Sequence, residues 1–265
     1  MKAEVFVMLF FDDGYEEDVR IARMLYQRNI KATFAITVKN IGKELDENDL
    51  VYLAKTGEIL SHGVNHVNLV KLLRYSPSLT YSELRDSKIF LEKLLGIHIK
   101  GFAYPYGVYN KSLKELIVKA GYEYARSVDL PSIAPRIYDK YAIPVTMVDY
   151  RPAILHLFKS LLRLRTKLNT FVLRLLVRYL SSTSHASILK LMLIFLKELT
   201  NYVRQYNKVF SVLLVFHSKC FNYESFKVFK TILDYIKENA GILKTLTLGE
   251  YTRLIRILNS KEVKV

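Results

Sequence analysis

The stretch VFVMLFFDDGY, residues 5–15, decides the fold, because seven apolar residues run directly into two carboxylates and a glycine. A continuous apolar run of this length is typical of a strand that is buried on both faces, as in a parallel sheet. Asp12-Asp13-Gly14 predicts the turn that ends this strand, since glycine tolerates positive φ and aspartate caps its own backbone. Taken alone, this tripeptide indicates a turn more often than a site.

Strand-like and helical patterns alternate through the first 150 residues. Such alternation predicts a parallel sheet with crossover helices. Further strands are predicted at residues 32–38, 58–60 and 100–104, and helices at residues 16–28, 50–56, 81–95 and 111–120.

A second polar motif, SHGVNH at residues 61–66, follows the aspartate turn by about fifty residues. Two imidazoles four residues apart can face one divalent ion, and a carboxylate from another strand end can supply a third ligand. Three protein ligands leave an open coordination position, which distinguishes a catalytic metal site from a structural one. Each motif alone also fits an ordinary turn or two surface histidines, but the pairing favours a metal site.

Four motifs, in this order, resemble those of the polysaccharide deacetylase family, also called the NodB-homology or carbohydrate esterase family 4 group. They are residues 8–15 with 29–35, residues 61–66, residues 101–107 and residues 213–218, and the segment 246–250 is similar to the family's closing segment. The likeness covers about residues 4–147 and 209–256. It implies a distorted, incomplete (β/α) barrel made of residues 1–150 and 209–265, and in such barrels the chemistry gathers at the carboxyl ends of the strands. Residues 151–208 show no family match and are predicted to be a basic helical insertion.

The resemblance also implies a metal centre. Asp13, His62 and His66 match the family's ligands for one divalent ion. Neutral imidazole and carboxylate suit zinc best, although cobalt, nickel and manganese also fit such a set.

Catalytic roles follow from the same resemblance. Asp12 matches the base that takes a proton from the attacking water, and His217 matches the acid that protonates the departing amine. Without the other motifs, His217 would equally well be a core histidine at a strand end. The N–H of Tyr106 matches the donor to the developing oxyanion, while the side chains of Tyr104 and Tyr106 are expected to form walls of the site.

The chain departs from the family pattern at two places. Ala103 stands where the third motif commonly has an arginine that orients the base. Arg126 could bring a guanidinium to the same carboxylate, although a surface arginine is the alternative. The family's fourth motif, an aspartate followed by tryptophan, is not visible because the chain has no tryptophan, and Asp129 is a weak candidate for it.

The predicted insertion, residues 151–208, is strongly basic. It contains 11 Lys and Arg residues against one acidic residue, and so carries +10 of the chain's formal charge of +15. A basic amphipathic helix can lie in an anionic membrane interface, or its apolar stripe can pack on the barrel or on a partner subunit. A second helical pattern covers residues 188–206. The apolar stripe of the first consists of Leu157, Leu161, Leu164, Leu168, Phe171, Leu175 and Tyr179.

The cysteine content and the lengths of the apolar runs bear on disulfide bonds and on cellular location. A single cysteine, Cys220, excludes an intramolecular disulfide and is predicted to be a small buried apolar residue. The start of the sequence lacks the pattern of a signal peptide, and no run reaches the length of a membrane-spanning helix. The expected location is therefore cytoplasmic, with the inner membrane surface as an option if the basic insertion binds lipid.

The sequence thus predicts a metal-dependent hydrolase that removes an N-acyl group, most often acetyl, from an amino sugar or glycan, either soluble or lipid-linked. The alternatives are a hydrolase of non-sugar amides on the same fold, and a catalytically silent protein that binds carbohydrate or lipid. Nucleic acid is not an expected partner despite the charge, because no nucleic-acid module or interleaving of basic and aromatic residues is present.

Overall fold

The structure, a computed structural model, describes residues 3–129, 137, 139–149 and 184–262. Single 3-10 turns follow three of the strands, at Val38–Asn40, Pro105–Gly107 and Ser218–Cys220. The elements in chain order are β1 (Glu4–Asp13), α1 (Glu17–Tyr26), β2 (Thr33–Ile36), α2 (Glu47–Thr56), β3 (Glu58–Ser61), α3 (Leu69–Tyr75), α4 (Pro77–Leu95), β4 (Gly101–Ala103), α5 (Lys111–Lys119), β5 (Tyr124–Arg126), β6 (Met147–Val148), α6 (His185–Tyr206), β7 (Val209–Phe216), α7 (Tyr223–Glu238), β8 (Leu243–Thr245) and α8 (Leu248–Glu262).

The strands form one parallel sheet with the order β5-β4-β3-β2-β1-β7-β6, and β8 also pairs with β1. The longest pairing runs from Glu4 opposite Val209 to Phe11 opposite Phe216. The sheet curls into a half-barrel with helices around it, which confirms the predicted incomplete (β/α) barrel. Parallel neighbours require long crossover connections, and helices supply them here.

Both faces of the central strand β1 are buried, which explains its unbroken apolar sequence. Successive side chains of a strand point to opposite faces, so one set packs against the helices and the other fills the barrel interior. The outward set is Val5, Val7, Leu9 and Phe11. The inward set is Phe6, Met8 and Phe10, which pack with residues of β7 and α8.

This period of two also sets the position of the polar site. Two residues after the last inward-facing apolar residue, the next side chain also points inward. That position lies at the carboxyl end of the strand, where the barrel interior opens. On four strands that position holds a polar side chain. Asp12 follows Phe10, His62 follows Leu60, Arg126 follows Tyr124 and His217 follows Val215.

The described part of the predicted insertion forms α6, which packs against α7 and β1. Ser184 caps this helix by accepting a hydrogen bond from the N–H of Ser187. Its apolar side lies in the core, with Leu189, Leu196 and Val203 completely or almost completely buried. The helical pattern predicted at residues 188–206 is therefore present. The stripe predicted from Leu157 to Tyr179 lies outside the described residues.

A few local expectations were wrong. Helix α4 begins at Pro77 and not at residue 81, because Ser76 caps it and proline fits the first helical turn. Helix α3 was not predicted at all, being only two turns long. Cys220 is exposed, since it lies on the turn after β7 and not inside the core.

Among the described helices, none has the length and apolar character needed to cross a membrane.

Candidate active site

The three predicted metal ligands converge at the carboxyl ends of β1 and β3. Asp13 Oδ1 lies 3.3 Å from His66 Nε2 and 3.7 Å from His62 Nε2. One ligand atom from each residue can be chosen so that all three lie within 4.8 Å of one another. An ion placed among them would be reached by one carboxylate and two imidazoles, as the sequence predicted.

His62 is held in the state that a metal ligand requires. Its Nδ1 lies 2.7 Å from the carbonyl oxygen of Ala103, which can only accept, so Nδ1 carries the proton and Nε2 presents a lone pair toward Asp13. Complete burial lowers the pKa of His62 to about 4, which keeps the ring neutral at physiological pH. The second imidazole, on His66, lies against the ring of Tyr106 at a centroid distance of 4.7 Å.

The loop that carries His66 is anchored by Glu83 of α4. Glu83 Oε2 accepts from the N–H groups of Val64 and Asn65 at 2.9 and 3.0 Å, and Oε1 accepts from the Asn65 amide at 2.6 Å. His66 itself has a φ of 55°, a left-handed conformation that costs energy for a residue with a Cβ. The buried carboxylate therefore holds a strained ligand loop in place.

Asp13 uses its two carboxylate oxygens differently. Oδ1 faces the imidazoles, while Oδ2 accepts a hydrogen bond from Lys219 Nζ at 3.1 Å. Burial alone would raise the pKa of the Asp13 carboxyl, but His62, His66 and Lys219 outweigh burial and lower that pKa below its ordinary value. An ionised carboxylate and two imidazoles, one with its proton directed away from the site, form a donor set that fits zinc or a similar divalent ion.

Arg126 pairs with Asp12, the predicted base. Arg126 Nη2 lies 2.8 Å from Asp12 Oδ1 and 2.6 Å from Oδ2, and the arginine side chain is only 1% exposed. The alternative of a surface arginine is therefore wrong. Arg126 on β5 pairs in register with Ala103 on β4, the position where the family commonly has arginine. The guanidinium thus reaches the base from the neighbouring strand at the same level of the sheet.

His217 is held by Asp149, a residue that sequence reasoning missed. Asp149 Oδ1 accepts from His217 Nδ1 at 2.7 Å, and Oδ2 accepts from the His217 backbone N–H at 2.7 Å. Burial opposes the charged imidazolium, but the Asp149 carboxylate raises the pKa of His217 above its ordinary value. Asp129, the weak candidate from the sequence, instead bonds to Tyr109 and Ser127. The missed signal was an aspartate followed by an aromatic residue, Tyr150, after a short strand.

The third motif supplies the wall of the site. Tyr104 is buried and donates its hydroxyl to the carbonyl of Tyr141 at 3.0 Å, so its side chain is structural. Tyr106 has a φ of 60°, the residue is 59% exposed, and its ring lies beside His66. Gly107 is required after it, because a Cβ there would lie 2.0 Å from a methyl carbon of Val128 and φ is +68°.

All of the predicted site residues line one cleft of about 210 Å³. Lys219 also lines it, at the exposed side of Asp13. The structure therefore brings together the full predicted set, which consists of Asp12, Asp13, His62, His66, Tyr104, Tyr106, Arg126 and His217.

A half-barrel with an Asp-His-His set at its strand ends defines the NodB-homology class of fold. The sequence profile of the family named polysaccharide deacetylase matches residues 2–125. This match covers just under half of the chain, and the resemblance drawn from the motifs is confirmed.

A relative found by sequence agrees with that resemblance. Poly-beta-1,6-N-acetyl-D-glucosamine N-deacetylase of Staphylococcus aureus is 28% identical over 168 residues. The match covers 58% of this chain and only 57% of the length of that relative.

Solved structures with the same fold have low sequence identity to the chain. A protein described as a polysaccharide deacetylase, from Mycobacterium smegmatis, aligns over 97% of this chain and 92% of its own, with a TM-score of 0.67 and 13% identity. The peptidoglycan deacetylase PdaC from Bacillus subtilis aligns over 98% and 96%, with a TM-score of 0.60 and 12% identity. A carbohydrate esterase family 4 pseudoenzyme from Bacillus anthracis aligns over 95% and 66%, with a TM-score of 0.52 and 12% identity. At these identities the likeness shows the fold alone.

Proposed function

We propose that the chain is a metal-dependent hydrolase that removes an N-acyl group, most often acetyl, from an amino sugar within a glycan. One observation carries the proposal. A carboxylate fixed by a buried arginine and an imidazole fixed by a buried aspartate line the same cleft as the Asp-His-His set. A base and an acid in one cleft with a cation site are the parts that hydrolysis of an amide requires.

Asp13, His62 and His66 would hold the ion. When bound, a divalent ion supplies a Lewis acid that makes water a stronger nucleophile and polarises the acyl carbonyl. Zinc is the first candidate, and cobalt, nickel and manganese are the others.

Asp12 acts as the base in this proposal. Its carboxylate is buried and charge-paired with Arg126, and it takes the proton of the attacking water. The backbone N–H of Tyr106 donates to the oxygen of the acyl group as negative charge develops there.

His217 acts as the acid. Its Nδ1–H is bound to Asp149, so its other ring nitrogen, Nε2, delivers a proton to the departing nitrogen. Because Asp149 stabilises the charged ring, His217 carries that proton in a larger fraction of the protein near neutral pH than a free imidazole would.

The exposed ring of Tyr106 favours a sugar over other amides. An aromatic face beside the cleft offers an apolar surface of the size of a pyranose ring, while its neighbours supply polar contacts. The relative from Staphylococcus aureus, named for poly-beta-1,6-N-acetyl-D-glucosamine, suggests the first polymer to try. A lipid-linked substrate, contact of residues 151–208 with a membrane and a cytoplasmic location stay predictions of the sequence.

The test is a release assay on the purified full chain. The protein is stripped with chelator, reloaded with one divalent ion at a time, and mixed with poly-β-1,6-N-acetylglucosamine, chitin oligomers or simple N-acetyl amides. Free acetate and new amines are measured. We expect metal-dependent release from an amino-sugar polymer and none from the stripped protein.

Asp12→Asn and Asp129→Asn form a matched pair of variants for this assay. Both remove one carboxylate charge, but only Asp12 lines the cleft. We expect loss of release in Asp12→Asn and normal release in Asp129→Asn. Release from the N-acetyl amides alone would establish the non-sugar hydrolase instead. Binding of the polymer without release, with every metal, would establish the silent binding protein.

A further inference from the structure

His185 lies behind the acid and belongs to neither the metal centre nor the cleft lining. It is the first residue of α6, 12% exposed at its side chain, and its Nε2 lies 2.9 Å from Asp149 Oδ2. The same Asp149 oxygen accepts the backbone N–H of His217, and the other accepts His217 Nδ1. Three donors from two separate segments therefore converge on one buried carboxylate.

The protonation state of this cluster follows from its hydrogen bonds. Hydrogen bonds from His185 and His217 outweigh burial and lower the pKa of Asp149 to about 2. An ionised carboxylate only accepts, so His185 must carry a proton on Nε2. Two imidazole N–H groups then compete for the charge of one carboxylate.

The far side of His185 is held as well. His185 Nδ1 lies 2.9 Å from Ser225 Oγ on α7. Ser225 Oγ also lies 3.0 Å from Asn222 Oδ1 and can donate to that amide oxygen, so Ser225 Oγ can either accept from His185 Nδ1 or donate to it. The ring also packs on Phe221 at a centroid distance of 5.0 Å. A histidine bound at both nitrogens has one orientation, and that orientation points its proton at Asp149.

We propose that His185 is a positioning residue for the acid: by donating to Asp149 it fixes that carboxylate and weakens its hold on the His217 proton. A carboxylate that accepts one more hydrogen bond carries less charge to share with its other partners. Without His185, Asp149 would bind the His217 imidazolium more tightly, and His217 would release its proton at higher pH. The catalytic role of His185 rests on the proposed function, but the hydrogen bonds themselves involve only His185, Asp149 and His217.

His185→Asn and His185→Gln separate this role from packing. The amide of asparagine can take the place of Nδ1 and keep the bond to Ser225, while losing the donor to Asp149. The amide of glutamine can take the place of Nε2 and keep that donor. Neither side chain titrates, so the two variants differ mainly in which hydrogen bond survives.

The direct measurement is an NMR titration of the His217 imidazole in the full chain, which needs no substrate. The chain has six histidines, and the His217 signal is assigned by its loss in His217→Gln. We expect the His217 midpoint to move up by about 0.5–1 pH unit in His185→Asn and to stay near wild type in His185→Gln. The other ionisable groups that act on this cluster, Asp12, Asp13 and Cys220, are unchanged in both variants.

An unchanged midpoint in His185→Asn, or equal shifts in both variants, would overturn the proposal. If His185→Asn does not fold, the wild-type protein still decides the matter through nitrogen-15 shifts of His185. The proposal requires a proton on Nε2 at neutral pH, and a ring protonated only on Nδ1 contradicts it.

Kinetics add the catalytic readout once a substrate is known. The fall of kcat at high pH should move upward in His185→Asn and stay in place in His185→Gln, with KM unchanged in both. If the NMR midpoint moves as expected while no substrate is hydrolysed, the positioning role stands and the proposed function fails.

Discussion

Two buried carboxylates of the site, Asp12 and Asp149, are stabilised in different ways. On the base side, Asp12 is paired with the guanidinium of Arg126, which stays charged at every physiological pH. On the acid side, Asp149 is surrounded by the imidazoles of His185 and His217, and its carboxylate raises the pKa of His217 above the ordinary value. The base is therefore paired with a permanent cation, while the acid is an imidazole whose protonation depends on a carboxylate partner.

The largest expected effects are on turnover, and they test whether both sides take part in the chemistry. Asp12→Asn and His217→Gln should each lower kcat by about 10²–10⁴, the range for a positioned acid or base. Zinc affinity, measured by calorimetry, should change little in either variant, because neither residue is assigned to the metal. Loss of zinc binding in Asp12→Asn would move that residue from the base to the ligand set.

Removal of the guanidinium should destabilise the base side strongly. Arg126→Met leaves the Asp12 charge buried and unpaired, which should cost about 3–5 kcal/mol in the free energy of unfolding. Lys114→Met is the matched control, because Lys114 pairs with Asp139 at 2.7 Å where both side chains are about one third exposed. That variant should cost at most about 1 kcal/mol in the same urea titration. Equal costs would mean that burial of the pair contributes nothing.

Changes on the acid side should instead alter how kcat and stability depend on pH. In Asp149→Asn the charge that raises the pKa of His217 is gone, so the fall of kcat at high pH should move to lower pH. The sign is also visible in stability. Because the folded pKa of His217 is raised, its contribution to stability is complete below the unfolded value of about 6.5 and is lost as pH rises through the folded value. In Asp149→Asn the wild-type decrease in that window should disappear, and its persistence would contradict the assignment.

The smallest expected effect concerns Lys219, which contacts the metal ligand Asp13. A cation 3.1 Å from Asp13 Oδ2 repels a divalent ion, but Lys219 is about half exposed and is screened by solvent. Lys219→Met should therefore tighten zinc binding by only about two- to fivefold, and the gain should shrink as salt is added. Lys100→Met is the control, because the Lys100 side chain is equally exposed but pairs with Glu123 outside the cleft. Weaker zinc binding in Lys219→Met would show that this lysine mainly orients Asp13.

The two sides also differed in how well the sequence predicted them. The metal and base residues follow apolar strands in short motifs, so the apolar runs and the family pattern together located Asp12, Asp13, His62 and His66. Arg126 was named only beside the alternative of a surface arginine, because its strand β5 was not predicted; the structure pairs it in register with Ala103 on the neighbouring strand.

The acid side was predicted only in part, for physical reasons. His217 follows the apolar strand β7 and was identified, but its partner Asp149 lies 68 residues earlier, after a strand of two residues. A strand that short has no periodicity to recognise, and the tryptophan that usually marks the motif is missing. His185 carried no local signal at all, because its role arises only when α6 packs on the sheet.

The central claim is that Asp13, His62 and His66 hold one divalent ion with Asp12 left free as the base. The most direct test is a crystal structure of the full chain grown with zinc, with anomalous scattering recorded at the zinc edge. One peak should lie about 2.0–2.2 Å from the ring nitrogens of His62 and His66 and from Asp13 Oδ1, with Asp12 still on Arg126. An ion coordinated by Asp12, or no ion between the two imidazoles at saturating zinc, would contradict the account.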